Sequence, residues 1–142
     1  ALSEAEIEGY LNGEGMGLAR VAELNHYPGP RHVLDLAESL ELTADQRRRT
    51  QALFEVMRVE AVRLGKDLVD KEAALERFFA EERTDEEELS ELLGQIGAVR
   101  AALRGVHLRA HVAMRAVLSA EQITRYDELR GYSGEAEHSH HH

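Results

Sequence analysis

One five-residue phrase is written twice in this chain, as Leu42-Thr43-Ala44-Asp45-Gln46 and again as Leu118-Ser119-Ala120-Glu121-Gln122. Each copy sets a hydroxyl residue where a helix begins and a glutamine three positions later. Thr43 with Gln46, and Ser119 with Gln122, therefore fit capping boxes. In such a box, hydroxyl and amide each satisfy a backbone N–H that the first helical turn leaves without a partner. Between the copies there is no proline, and Gly65, Gly94, Gly97 and Gly105 stand isolated. The combination predicts two long helices folded back on each other, with a short helix restarted by the second cap.

Apolar spacing agrees with that reading. Leu53, Met57, Ala61, Leu64, Leu68, Leu75 and Phe78 recur mostly in steps of three and four, giving a helix over about 44–80. It would be on the order of 55 Å long and too long to bury its own stripe. Its partner begins near Asp85 and carries Leu89, Leu92, Ile96, Val99, Leu103, Val106, Ala110, Ala113 and Val117. Thr84, three residues before Glu87, offers it a cap. Such steps belong to near-antiparallel helix packing. A shorter helix over 31–40 holds Val33, Leu34, Leu36, Ala37 and Leu40, with Pro30 suited to its first turn. A last one over 120–131 sets Ile123, Tyr126 and Leu129 on one face. The expected fold is thus all-α: a long antiparallel hairpin with short flanking helices, four core helices in all, over residues 31–131. Phe54, Val59, Val62, Val69, Phe79, Leu93 and Leu108 lie off the main seam. Either the short helices or a second copy of the chain must cover them, and a two-fold dimer is the commoner solution.

The ends read differently. Residues 1–30 form a flexible N-terminal arm in this reading, because Gly13, Gly15 and Gly17 break its helical pieces and no strand precedes them to make a phosphate loop. Tyr27-Pro28-Gly29-Pro30 is a stiff turn. Residues 132–142 read as a disordered His-rich tail, either an expression tag or a natural metal scavenger. The formal charge of −10 argues against nucleic acid as a partner, since phosphate neutralisation needs a Lys/Arg excess. No run approaches the roughly 20 apolar residues of a membrane span.

Chemistry concentrates in His107-Leu108-Arg109-Ala110-His111-Val112-Ala113-Met114. On a helix His107, His111 and Met114 fall within roughly 60° of one another, flanking the seam. Two imidazoles at i and i+4 can reach one metal ion, and a thioether beside them suits copper, with nickel, cobalt and zinc also compatible. A hairpin turning near residue 83 sets 59 opposite 107 and 55 opposite 111, so Glu60 and Glu55 supply oxygen nearby. His26 and His32 could fold over the same end. The same residues also have a plain structural reading, with the methionine as core filler. The H-E-x-x-H zinc-protease pattern, a cysteine nucleophile and a G-x-S-x-G turn are all missing, so no catalytic residue and no organic cofactor is expected.

The paired phrases flanking a long hairpin resemble the LTxxQ superfamily of bacterial periplasmic proteins. That superfamily includes the chaperone-like stress proteins Spy and CpxP, the zinc-associated ZraP and the heavy-metal sensor CnrX. The resemblance covers about residues 31–131. It implies a four-helix, cradle-shaped antiparallel homodimer in the periplasm, its leader already removed, working by binding rather than catalysis. Within it, the sensor branch uses histidines before the first core helix, a carboxylate, and a His with a Met one turn on. His26 and His32 stand in the corresponding region, though not at the sensor's four-residue spacing; His111 and Met114 are three apart rather than four, while His107 and His111 keep the four-residue step. The function implied is a metal-binding or metal-responsive envelope-stress protein. The alternative is an ATP-independent holdase for unfolded clients, and a membrane-anchored regulator is a further conceivable partner.

Overall fold

The computed structural model describes residues 1–132, and among these there is helix and no strand. The helices are α1 (Glu4–Leu11), α2 (Arg20–Glu23), α3 (Pro30–Asp35), α4 (Ala44–Ala80), α5 (Glu86–Arg115) and α6 (Ala120–Arg130). The long helical hairpin is α4 and α5. None of the helices is long and apolar enough to cross a membrane. Two compact units divide the chain, one from Ala1–Met16 with Arg58–Val106, the other from Gly17–Met57 with the chain from His107 onward.

In the first unit, Ala61, Leu64, Leu68 and Phe78 of α4 and Ile96, Val99 and Leu103 of α5 are buried, on the stripes that the three-and-four spacing defines. Burial of each larger side chain contributes about 1.5–3 kcal/mol. Arg100 reaches across the hairpin to Glu72 at 2.9 Å. The turn is closed by hydrogen bonds from Arg83 N–H to the Phe78 carbonyl and from Glu82 N–H to that of Phe79, with Glu82 in the left-handed region. The cap of α5 is Asp85 rather than Thr84: its carboxylate accepts from the N–H groups of Glu87 and Glu88. A carboxylate there also meets the positive end of the helix dipole.

The N-terminal segment is not the arm that its glycines predict. Ser3 and Glu6 form a full capping box that starts α1, and Tyr10 at its end is buried. The glycines serve close approach: a Cβ on Gly65 would sit 2.2 Å from the carbonyl oxygen of Tyr10, and one on Gly13 2.9 Å from Val62. Val62 is thereby half-buried, whereas Val59, Phe79 and Leu93 remain exposed on this chain.

The second unit is built on an apolar cluster of Val33, Leu40, Met114, Val117, Leu118, Tyr126 and Tyr132, flanked by Leu24, Leu36, Leu42, Leu53 and Ile123. Both repeated phrases form their capping boxes, with Thr43 exchanging bonds with Gln46 and Ser119 with Gln122. The helix expected over 31–40 stops at Asp35. The chain continues through turns to a left-handed Glu41, where Leu42 N–H closes back on the Ala37 carbonyl. Leu129 faces outward instead of sharing the buried side of Ile123 and Tyr126. Tyr132 belongs to the core and not to the tail, its ring 6.4 Å from that of Tyr126. The disorder expected over 133–142 lies outside the described residues.

Candidate functional site

Two histidines one turn apart on α5 are buried, His107 at 2% and His111 at 7% relative exposure. The ring of His111 is oriented by its own helix: Nδ1 lies 2.7 Å from the His107 carbonyl oxygen. A carbonyl only accepts, so Nδ1 carries a proton. The other ring nitrogen, Nε2, faces a carboxylate. Oε1 of Glu23, on α2, stands 3.3 Å from Nε2. A hydrogen bond at this distance is made by a proton on Nε2, and a metal ion held between the two atoms would take that proton's place.

Glu23 is itself buried and firmly held. The Tyr126 hydroxyl lies 2.8 Å from both carboxylate oxygens and donates to them, while the Gly29 N–H donates to the phenol oxygen at 3.3 Å. Burial alone would raise the Glu23 pKa. The hydrogen bonds from His111 and Tyr126 outweigh it and keep the carboxyl below its ordinary value. Burial, and then the neighbouring Glu23 charge, push the Tyr126 phenol far up, so it remains a donor at any physiological pH.

The other expected ligands stand as follows. Nε2 of His107 is buried and has no hydrogen-bond partner among the described residues; burial first, and the nearby His111 second, hold its pKa down, so its lone pair is available. Met114 is fully buried within the apolar cluster, where it serves as core filler. His26 pairs through Nδ1 with Asp127 at 2.5 Å, and the other Asp127 oxygen is buried without a partner among the described residues. His32 lies 3.8 Å from Asp35, half-exposed. The carboxylate of Glu60 is taken by Arg63 at 2.8 Å in the other compact unit. Glu55 accepts from Gln51 on its own helix. Among the described residues no three His, Cys, Asp or Glu side chains converge as a ready-made metal cage. The pair that does converge is His111 with Glu23. Two donors each about 2.1 Å from a shared ion in a tetrahedral array are about 3.4 Å apart, so the observed 3.3 Å separation suits them as joint ligands.

Spacing on α5 picks out His107 and His111, but Glu23, Tyr126 and Asp127 carry no local signal of their role. Glu23 comes from the stretch whose glycines suggest an arm, and its partners are distant in sequence.

A family model described as heavy-metal resistance matches residues 15–125. The matched stretch contains Glu23, Gly29, both histidines of α5 and both repeated phrases. Searches of curated proteins and of solved structures return no match.

Proposed function

The chain belongs to the heavy-metal resistance family, and from that premise we propose that it binds a divalent transition-metal ion through Nε2 of His111 and the carboxylate of Glu23. It acts in the periplasm as a metal-binding or metal-responsive stress protein, by binding and not by catalysis. The observation that carries this reading is the buried Nε2 of His111 standing 3.3 Å from the buried carboxylate of Glu23. A nitrogen and an oxygen donor of this kind suit zinc, nickel, cobalt and copper. His107, with a buried nitrogen one turn away that has no partner among the described residues, is the reserve ligand, and His26 and His32 rank behind it. Tyr126 orients the carboxylate, in the way that outer-shell partners fix metal ligands.

Calorimetric titration with Zn²⁺, Co²⁺, Ni²⁺ and Cu²⁺ tests it. The tail residues His138, His140, His141 and His142 are replaced by serine so that they do not report. One-to-one binding tighter than about 10 μM, lost in His111→Ala and in Glu23→Gln, is expected. That affinity corresponds to about 7 kcal/mol. Binding that survives both substitutions would remove the site.

A second reading, an ATP-independent holdase acting as a homodimer, is favoured by the exposure of Val59, Phe79 and Leu93. It predicts suppression of client aggregation at near-equimolar ratio, diminished when Phe79 and Leu93 become serine. Co-purification of an anchored regulator from envelope extracts would point instead to a signalling role.

A further inference from the structure

Gly29 is a glycine that its own backbone does not require. Its φ of −94° and ψ of 146° lie in the extended region open to any residue. What requires it is space. A Cβ placed there would lie 2.6 Å from Nε2 of His111, 3.0 Å from Cε1 of the same ring and 3.0 Å from Oε1 of Glu23. The side-chain volume that residue 29 forgoes is therefore bounded by the two donor atoms themselves.

The backbone at this point has little freedom to retreat. The two prolines of the chain, Pro28 and Pro30, flank it, each with φ restricted to about −65°, and both are fully buried. The Gly29 N–H is tied to the Tyr126 hydroxyl, which is tied in turn to Glu23. A side chain at 29 would have to push the imidazole off the carboxylate.

We infer that Gly29 keeps the ion site open: the Pro28-Gly29-Pro30 turn is the wall of that site, and the missing side chain reserves the volume that the ion occupies between His111 and Glu23. The inference rests on the metal-binding reading above. It explains why a stiff, buried turn interposes its one flexible residue where the donors meet.

The test is Gly29→Ala in the full-length chain carrying the serine-substituted tail, with Zn²⁺ as the probe. Its affinity is expected to fall about 10–100-fold, the range seen when a metal site's supporting shell is disturbed. Gly15→Ala, whose added Cβ meets nothing within 4 Å, leaves affinity unchanged. In the metal-free protein, the imidazole ¹⁵N resonances of His111 should shift in Gly29→Ala as the ring leaves Glu23. Unchanged Zn²⁺ affinity or unchanged His111 resonances in Gly29→Ala would overturn the inference while leaving the metal reading standing. A parent chain that binds no Zn²⁺ would overturn the metal reading itself. If Gly29→Ala does not fold, the Pro28→Ala/Pro30→Ala pair probes the same wall. A loosened turn is expected to raise the Zn²⁺ association rate several-fold in stopped flow, and an unchanged rate would contradict the proposal.

Discussion

Gln46 and Gln122 clasp each other: the amide nitrogen of Gln46 donates to Oε1 of Gln122 at 2.8 Å, and that of Gln122 to Oε1 of Gln46 at 3.0 Å. The remaining N–H of each goes to a backbone carbonyl, Val117 for Gln46 and Leu40 for Gln122, both at 3.1 Å. Each oxygen also accepts the backbone N–H of its own cap residue, Thr43 or Ser119. Both donors of each amide are thereby used, and each oxygen takes two bonds. The phrase occurs twice because its two copies are halves of one fastening, which joins the start of α4 to the start of α6.

Cutting either half should therefore cost more than one cap. Gln46→Ala or Gln122→Ala leaves the opposite amide part-buried and short of partners, and each is expected to destabilise the fold by about 1–3 kcal/mol. The double variant should cost clearly less than the sum, since the second substitution removes groups already stranded by the first. Urea denaturation of the four proteins checks this, and strict additivity would contradict the clasp.

Tyr126→Phe removes the donor that holds Glu23 and strands the Gly29 N–H. A loss of about 1–3 kcal/mol is expected in thermal unfolding, with Zn²⁺ affinity lowered about 10–100-fold. Full affinity in this variant would show that the hydroxyl does not orient the carboxylate.

His107 makes stability depend on pH with a definite sign. Burial, then His111, lowers its pKa in the folded chain, and unfolding returns it to the ordinary 6.5. Between the folded value and 6.5 the unfolded chain binds more protons, so this contribution is complete above that window and is lost as pH falls through it. In the presence of chelator, His107→Leu should lose less Tm between pH 7 and pH 5 than the parent does. Parallel Tm profiles would contradict the assignment.

Gly65→Ala drives a methyl into the backbone of Tyr10. Because a backbone atom cannot rotate away, α1 should lift from α4, with amide exchange in residues 4–11 accelerated at least tenfold. Unaltered protection there would mean that α1 is not held by this contact.

The long helices, the two caps and the α5 histidines were legible because their signals are local: apolar steps of three and four, hydroxyl-to-glutamine spacing, and imidazoles one turn apart. The α5 cap is not legible, because Thr84 and Asp85 both offer an oxygen beside an acidic first turn, and spacing does not rank them. The docking of the N-terminal segment is hidden because a glycine that breaks a helix and one that lets a helix dock look alike in sequence. Gly65 and Tyr10 declare themselves only once folded. A hairpin count that ignores the short helices sets Glu60 near His107 and Glu55 opposite His111. The chain instead brings Glu23 from α2, a contact no periodicity encodes.

The most direct test of the metal site is anomalous diffraction from crystals soaked with Zn²⁺ or Co²⁺. The account predicts an anomalous peak about 2.0–2.2 Å from both Nε2 of His111 and a carboxylate oxygen of Glu23. A metal-loaded crystal with its peak elsewhere, and with the imidazole of His111 still directly bonded to Glu23, would contradict it.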